Sequence, residues 1–211
     1  VWDAPVRLFH WATVVLLAAC YASFRLDRMD WHVWTGEALL ALLLFRVLWG
    51  VFGSETARFT HFLARPGAAV RHLVHLHRRE PDHQIGHNAA GGWMVLVMIL
   101  LLLGQTLTGL YINNDIVDEG PLTEVVPAPV ADVINDLHAI LWDALLAAIA
   151  LHLIAILTYA VAKRHNLVWP MITGHKRLPD GTAAPHMAPL VRAGLLLAAA
   201  SAVTAVLAAR L

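Results

Sequence analysis

The sequence predicts an all-α integral membrane protein: a four-helix transmembrane bundle followed by a fifth, C-terminal transmembrane helix. Three observations carry this. Hydrophobic residues make up 59% of the 211 residues and charged residues only 14%, with a mean hydropathy of +0.63, well outside the range of soluble domains. Five apolar runs approach or reach the roughly 17–25 residues that cross a bilayer. The loops between them alternate in charge, as membrane topology requires.

The first run, 8–24, lies between Arg7 and Arg25 with no small-residue cleavage pattern after it, so it reads as a retained span rather than a signal peptide. Val1 in place of an initiator methionine reads as the loss of a short native N-terminus. The second run, 32–52, contains Glu37 and Arg46 and is amphipathic. Runs 89–112, 137–162 and 189–207 are apolar enough to span without qualification. Residues 1–178 are expected to form the four-helix domain, and 179–211 a linker and the additional helix.

The N-terminus, loop 53–86 and loop 163–187 hold Arg7, Arg58, Arg65, Arg71, Arg78, Arg79, Lys163, Arg164, Lys176 and Arg177; the opposite side has only Arg25, Arg28 and Arg210. The positive-inside rule places the N-terminus in the cytoplasm and the C-terminus outside. Loop 113–136 carries Asp115, Asp118, Glu119, Glu124, Asp132 and Asp136 with three prolines, and reads as an acidic, turn-rich outer cap with room for one short helix. Stretch 66–79 reads as an amphipathic helix on the cytoplasmic interface, with His72, His75 and His77 on a solvated basic surface rather than at a metal site. Net charge is zero, so overall charge implies no nucleic-acid partner. The single cysteine, Cys20, excludes an internal disulfide and a cysteine-based metal site, and is expected to be buried packing.

The chemistry lies in histidines. His138 and His152 are fourteen residues apart in one span, which returns them to within about 40° of one helix face and separates them by about 21 Å. His10 opens the first span from the cytoplasmic side and His32 opens the second from the outside. By depth, His10 matches His152 and His32 matches His138. Two opposed imidazoles at one depth have the geometry for axial ligation of a porphyrin iron. Filling both axial positions favours electron transfer over oxygen chemistry. Zinc would want further ligands, and the lack of a C-x-x-C-H string excludes covalent haem attachment. Against this stands the ordinary role of a membrane histidine, a hydrogen-bonded core residue; four at two matched depths weigh against it.

Gly36 is one turn from His32 and leaves room either for a flat macrocycle or for a packed helix. Arg46 lies fourteen residues after His32, where it would pair with a haem propionate or snorkel to lipid phosphate. His87, at the cytoplasmic mouth of the third span, would bond a propionate or a quinone carbonyl, or simply begin a helix at the interface. Glu37 and Asp143 are expected to face inward and be hydrogen-bonded, and Gln105, Thr106, Thr108 and Gly109 to serve interhelical packing and hydrogen bonding.

The strings WDAPVRLFHW, HVWTGEALLALLLFRVLWG, GHNAAGGW with LTGLY, LHAILWDALLAAIALH and NLVWPMITGHK resemble the prokaryotic cytochrome b-561 family, which includes cytochrome b subunits of nickel–iron hydrogenases and formate dehydrogenases. The resemblance covers about residues 1–178, and the thirteen-residue gap between His138 and His152 is its most specific element. It implies a four-helix core with two non-covalent b haems stacked across the membrane. His10 and His152 would ligate the cytoplasmic-side haem, and His32 and His138 the outer one. It also implies electron exchange between a membrane quinone and a partner such as a c-type cytochrome, dehydrogenase or hydrogenase. Two other functions stay open: a self-contained superoxide:quinone oxidoreductase of the same fold, with Arg25 and Arg28 attracting the anion, and a non-redox metal transporter using loop histidines.

Overall fold

The structure, a computed structural model, describes residues 1–74, 85–112, 120–176, 178–179 and 181–209. Every regular element among the described residues is helical. Helix α1 (Ala4–Arg25) starts where the Asp3 carboxylate accepts the Val6 N–H at 2.8 Å and Pro5 supplies its preset φ. It turns through Asp27, which adopts a left-handed φ of 56°, into α2 (Met29–Phe52). A short 3-10 turn leads to α3 (Phe59–Phe62) and α4 (Pro66–Val74). Asn88 caps α5 (Ala89–Gly109) by accepting the Gly91 N–H at 2.8 Å. There follow α6 (Ala128–Val161), α7 (Val168–Thr173) and α8 (Leu190–Ala208). Five of these, α1, α2, α5, α6 and α8, are long and apolar enough to cross a membrane.

Their order in space follows from contact. Helix α2 is central: α1, α5 and α8 all pack on it, and α6 packs along α5. Lipid offers no hydrophobic drive between helices, so close fit of small side chains decides such contacts. Ala193 and Ala200, seven residues apart on α8, lie in one buried cluster with Phe45 and Trp49 of α2. The segment before α8 is pinned to the start of the 53–86 loop: the Ala188 N–H donates to Ser54 Oγ at 3.0 Å and the His186 N–H to Glu55 Oε2 at 2.9 Å. The fifth helix is therefore an integral wall of the described bundle.

The end of the bundle where α1 begins is termed proximal, and the end where α1 gives way to α2 distal. At the proximal end α7 closes on α1. Arg7 donates to the Ile172 carbonyl and Trp11 Nε1 to the Met171 carbonyl at 3.3 Å. Gly174 turns the chain with a φ of 79°, and a Cβ there would lie 3.0 Å from the Trp2 carbonyl oxygen. Between the two ends Leu43, Leu102 and Leu145 meet in a fully apolar middle layer.

Two expectations are corrected. Helix α6 begins at Ala128, not at 137, so Asp132 and Asp136 are on a helix rather than in a turn-rich loop. Pro127 and Pro129 flank a helix start, where the missing N–H and fixed φ are favourable, rather than a turn. With 34 residues, α6 runs about 51 Å and overshoots a hydrocarbon core of about 30 Å. Of the other acidic positions of that loop, Glu124 lies in a 3-10 turn, and Asp115, Asp118 and Glu119 lie outside the described residues, as do Arg78, Arg79, His75, His77, Arg177 and Arg210.

Candidate haem sites in the bundle

Helices α1 and α6 hardly approach each other by backbone, yet His10 on α1 and His152 on α6 face across the gap with ring centroids 6.4 Å apart and planes inclined at 52°. That separation would leave room for one metal ion between the two rings. The Nδ1 atom of His10 is buried without a hydrogen-bond partner, and His152 makes no side-chain hydrogen bond among the described residues. A structural core histidine would have that need met; His10 does not.

Around it at the proximal end lie further buried polar atoms without partners: Trp2 Nε1, Arg7 Nε and His87 Nδ1. His87 packs edge-on to Trp2 at 5.2 Å and against Phe62 at 5.1 Å. Arg46 is only 2% exposed, with its guanidinium over Phe59 and Phe62 and one bond to the Ala57 carbonyl at 3.2 Å. Snorkelling to lipid phosphate is thereby corrected, since Arg46 points into the protein. No carboxylate forms an ion pair with it among the described residues; Asp3 is the acidic group that acts on it most. Burial pushes the His87 imidazole down to about 3, helped by the Arg46 cation. Unmet donors plus an unpaired guanidinium make a cradle for an anion, which suits the carboxylates of a porphyrin.

At the distal end the histidines are held differently. The His32 Nδ1–H donates to the Cys20 carbonyl at 2.9 Å, with the Cys20 sulfur 3.4 Å away. A carbonyl can only accept, so the proton is on Nδ1 and the lone pair on Nε2. His138 lies within electrostatic range of His32, and its Nδ1 is 2.9 Å from Thr108 Oγ1. That hydroxyl already donates within its own helix, to the Gly104 carbonyl at 2.8 Å, so it accepts from His138. The lone pair of His138 therefore also sits on Nε2, where the Gln105 amide donates to it at 2.9 Å. For an iron to bind, Gln105 must turn aside; its Oε1 is buried and has no partner to hold it. Gly109 lets the ring lie close, since a Cβ there would be 3.3 Å from His138 Cε1. A Cβ on Gly36 would meet nothing within 4 Å, so no helix packs there and the space beside His32 is open. Tyr21 and Trp142 stack at 5.3 Å between α1 and α6 in the same half.

Several expectations change. Cys20 is half-buried and serves His32 through its carbonyl, so it is more than packing. Thr106 bonds its own helix, to the Leu102 carbonyl, rather than a neighbour. Asp143 is exposed and Glu37 half-buried, and neither makes a side-chain hydrogen bond among the described residues. Five residues beyond His138 a side chain is turned about 140° from it, which carries Asp143 off the histidine face. His72 is not merely solvated: its Nε2 bonds Tyr159 Oη, which also accepts from Asn88 Nδ2 at 2.8 Å. Tyr159 follows His152 by seven residues, two turns on the same face, and was legible in the spacing. An apolar groove of about 460 Å³ between α1, α2 and α8, with Ala12, Ala38 and Leu197 in its walls, contains no histidine and is no rival for the cofactor.

The family model described as prokaryotic cytochrome b561 matches residues 1–174. No curated protein and no solved structure matches the chain.

Proposed function

The chain belongs to the prokaryotic cytochrome b561 family, and from that premise we propose that it relays electrons across the membrane through two b haems, one held by His10 and His152 and the other by His32 and His138. Membership makes it a multi-pass bacterial membrane cytochrome b in electron transfer; the haem number, the ligands and the partners are the proposal. The observation that carries it is the His10–His152 pair, 6.4 Å apart between helices with little close backbone contact. A haem held there supplies one-electron ferric–ferrous chemistry. Arg46, Trp2 and Arg7 would hold its carboxylates, with His87 neutral beside them. The middle layer of Leu43, Leu102 and Leu145 excludes water between the two sites.

The proximal end is read as cytoplasmic from its basic loops. There Tyr159, His72 and Asn88 form a hydrogen-bonded group at the membrane boundary, with Lys163 Nζ 5.5 Å from the tyrosine ring. Quinone reduction takes two protons as well as two electrons, and this group offers exchangeable protons two helical turns from His152. A membrane quinone is the redox substrate read for this end. A c-type cytochrome, dehydrogenase or hydrogenase is the partner read for the distal end.

The test is the purified full chain expressed with haem supply. Two haems per chain, a low-spin b-type reduced spectrum and no change under carbon monoxide are expected. A large carbon monoxide shift would mean an open axial position. Absence of any Soret band would turn attention to transport instead.

A further inference from the structure

The two histidine pairs differ in what their Nδ1 atoms meet. At the distal pair both Nδ1–H groups have acceptors, the Cys20 carbonyl for His32 and the Thr108 hydroxyl for His138, each at 2.9 Å. At the proximal pair His10 Nδ1 is buried without a partner, and among the described residues His152 has none. A hydrogen bond from Nδ1–H fixes the tautomer and makes the opposite nitrogen a stronger donor to a metal. A stronger donor favours the ferric over the ferrous ion. Charge runs the same way: Arg46, buried at the proximal end, favours the ion of lower positive charge there, with Asp3 offsetting it in part.

From this contrast, and resting on the two-haem reading above, we propose that Thr108 and the Cys20 carbonyl are positioning residues that set the distal haem at the lower reduction potential of the two. Thr108 is the side chain through which this can be tested. Its hydroxyl is anchored to the Gly104 carbonyl at 2.8 Å, so it is a fixed acceptor rather than a rotor. Gly109, one residue on, lets the ring reach it.

The experiment is an optical redox titration of the haem-loaded full chain, wild type against Thr108→Val, repeated with His152→Ala so that only the distal haem is read. The wild type should titrate in two waves, the distal one lower. Loss of one hydrogen bond should raise the ferrous-to-ferric ratio of the distal haem about fivefold at a fixed potential and leave the proximal wave in place. Thr108→Ser should restore the original distal wave, which a purely structural role for the methyl group would not predict. Should Thr108→Val shed the distal haem, Thr108→Cys, a weaker acceptor of similar size, should give a smaller shift in the same direction. A distal wave unmoved in the haem-retaining variants, or a wild-type distal haem that is the higher of the two, overturns the inference. A wild-type chain with no haem at His32 and His138 instead overturns the two-haem reading itself, and shows as haem content before any variant is titrated.

Discussion

His10 and His152 face each other at 6.4 Å between ring centroids, across two helices that share almost no close backbone contact. The two helices meet through side chains, with Tyr21 stacked on Trp142 farther along, and an unpartnered His10 Nδ1 facing His152 is best explained by what the pair holds. His10→Ala and His152→Ala should each remove one haem of two, halving haem per chain in a pyridine haemochrome assay, with the remaining spectrum intact. His32→Ala and His138→Ala should do the same for the other haem. A full complement in any of the four would refute that assignment.

How much of this was legible depends on the kind of signal. Histidines fourteen residues apart in an apolar run announce themselves, because helix geometry alone puts them on one face and fixes their depths. The same arithmetic finds Tyr159 and takes Asp143 off that face. The supports of His32 and His138 were hidden for two reasons. Cys20 acts through its backbone carbonyl, which every residue has, and Thr108 resembles any small polar residue at a helix contact. The extended start of α6 was hidden because proline favours turns and first helical turns alike.

Leu145 stands seven residues from His138 and seven from His152, and it is fully buried against Leu43 and Leu102. Leu145→Ala would open a cavity in this layer where neighbours on three helices cannot all collapse. A loss of about 2–5 kcal/mol is expected, seen as a lower melting temperature in detergent with haem content retained. An unchanged melting temperature would mean that the layer does not hold the bundle together.

Asp3 joins two helices through one carboxylate, accepting the Val6 N–H at 2.8 Å and the Trp49 indole N–H at 2.9 Å. Asp3→Ala removes a helix cap and leaves a buried indole donor unmet, which should cost about 1–3 kcal/mol. Asp3→Asn retains an acceptor for the cap, and Asn caps as well as Asp, so its loss should be clearly smaller. Comparable melting temperatures for the two variants would assign the effect to charge rather than to capping.

His87 sets an acid limit on stability. In the unfolded chain an imidazole takes its proton near pH 6.5, whereas burial holds this one down to about 3. Between those values the unfolded state binds more protons, so stability is complete above about pH 6.5 and falls by up to about 1.4 kcal/mol per unit below it. By pH 5 the loss from this group is about 2 kcal/mol. His87→Phe should keep the contact with Trp2 and narrow the difference in melting temperature between pH 7 and pH 5. An equal difference in both proteins would place the acid sensitivity elsewhere.

Tyr159 supplies the sharpest functional test, because its hydroxyl is held from two sides. Asn88 donates to it at 2.8 Å while also capping α5 through its other amide atom, and His72 bonds it from α4. Asn88 thus fixes the hydroxyl relative to the helix that starts there, and His72 connects it to the basic interfacial helix. If this group delivers protons to a quinone, Tyr159→Phe should lower turnover with a soluble quinone on the order of a hundredfold. Haem content, spectra and melting temperature should change little, since the ring and its stacking on His72 at 6.3 Å are kept. His72→Ala should slow the same reaction while leaving haem bound. Turnover unchanged in both variants would move quinone chemistry away from the proximal end, and the hydrogen-bonded group would then serve only to fasten α4 and α5 to α6.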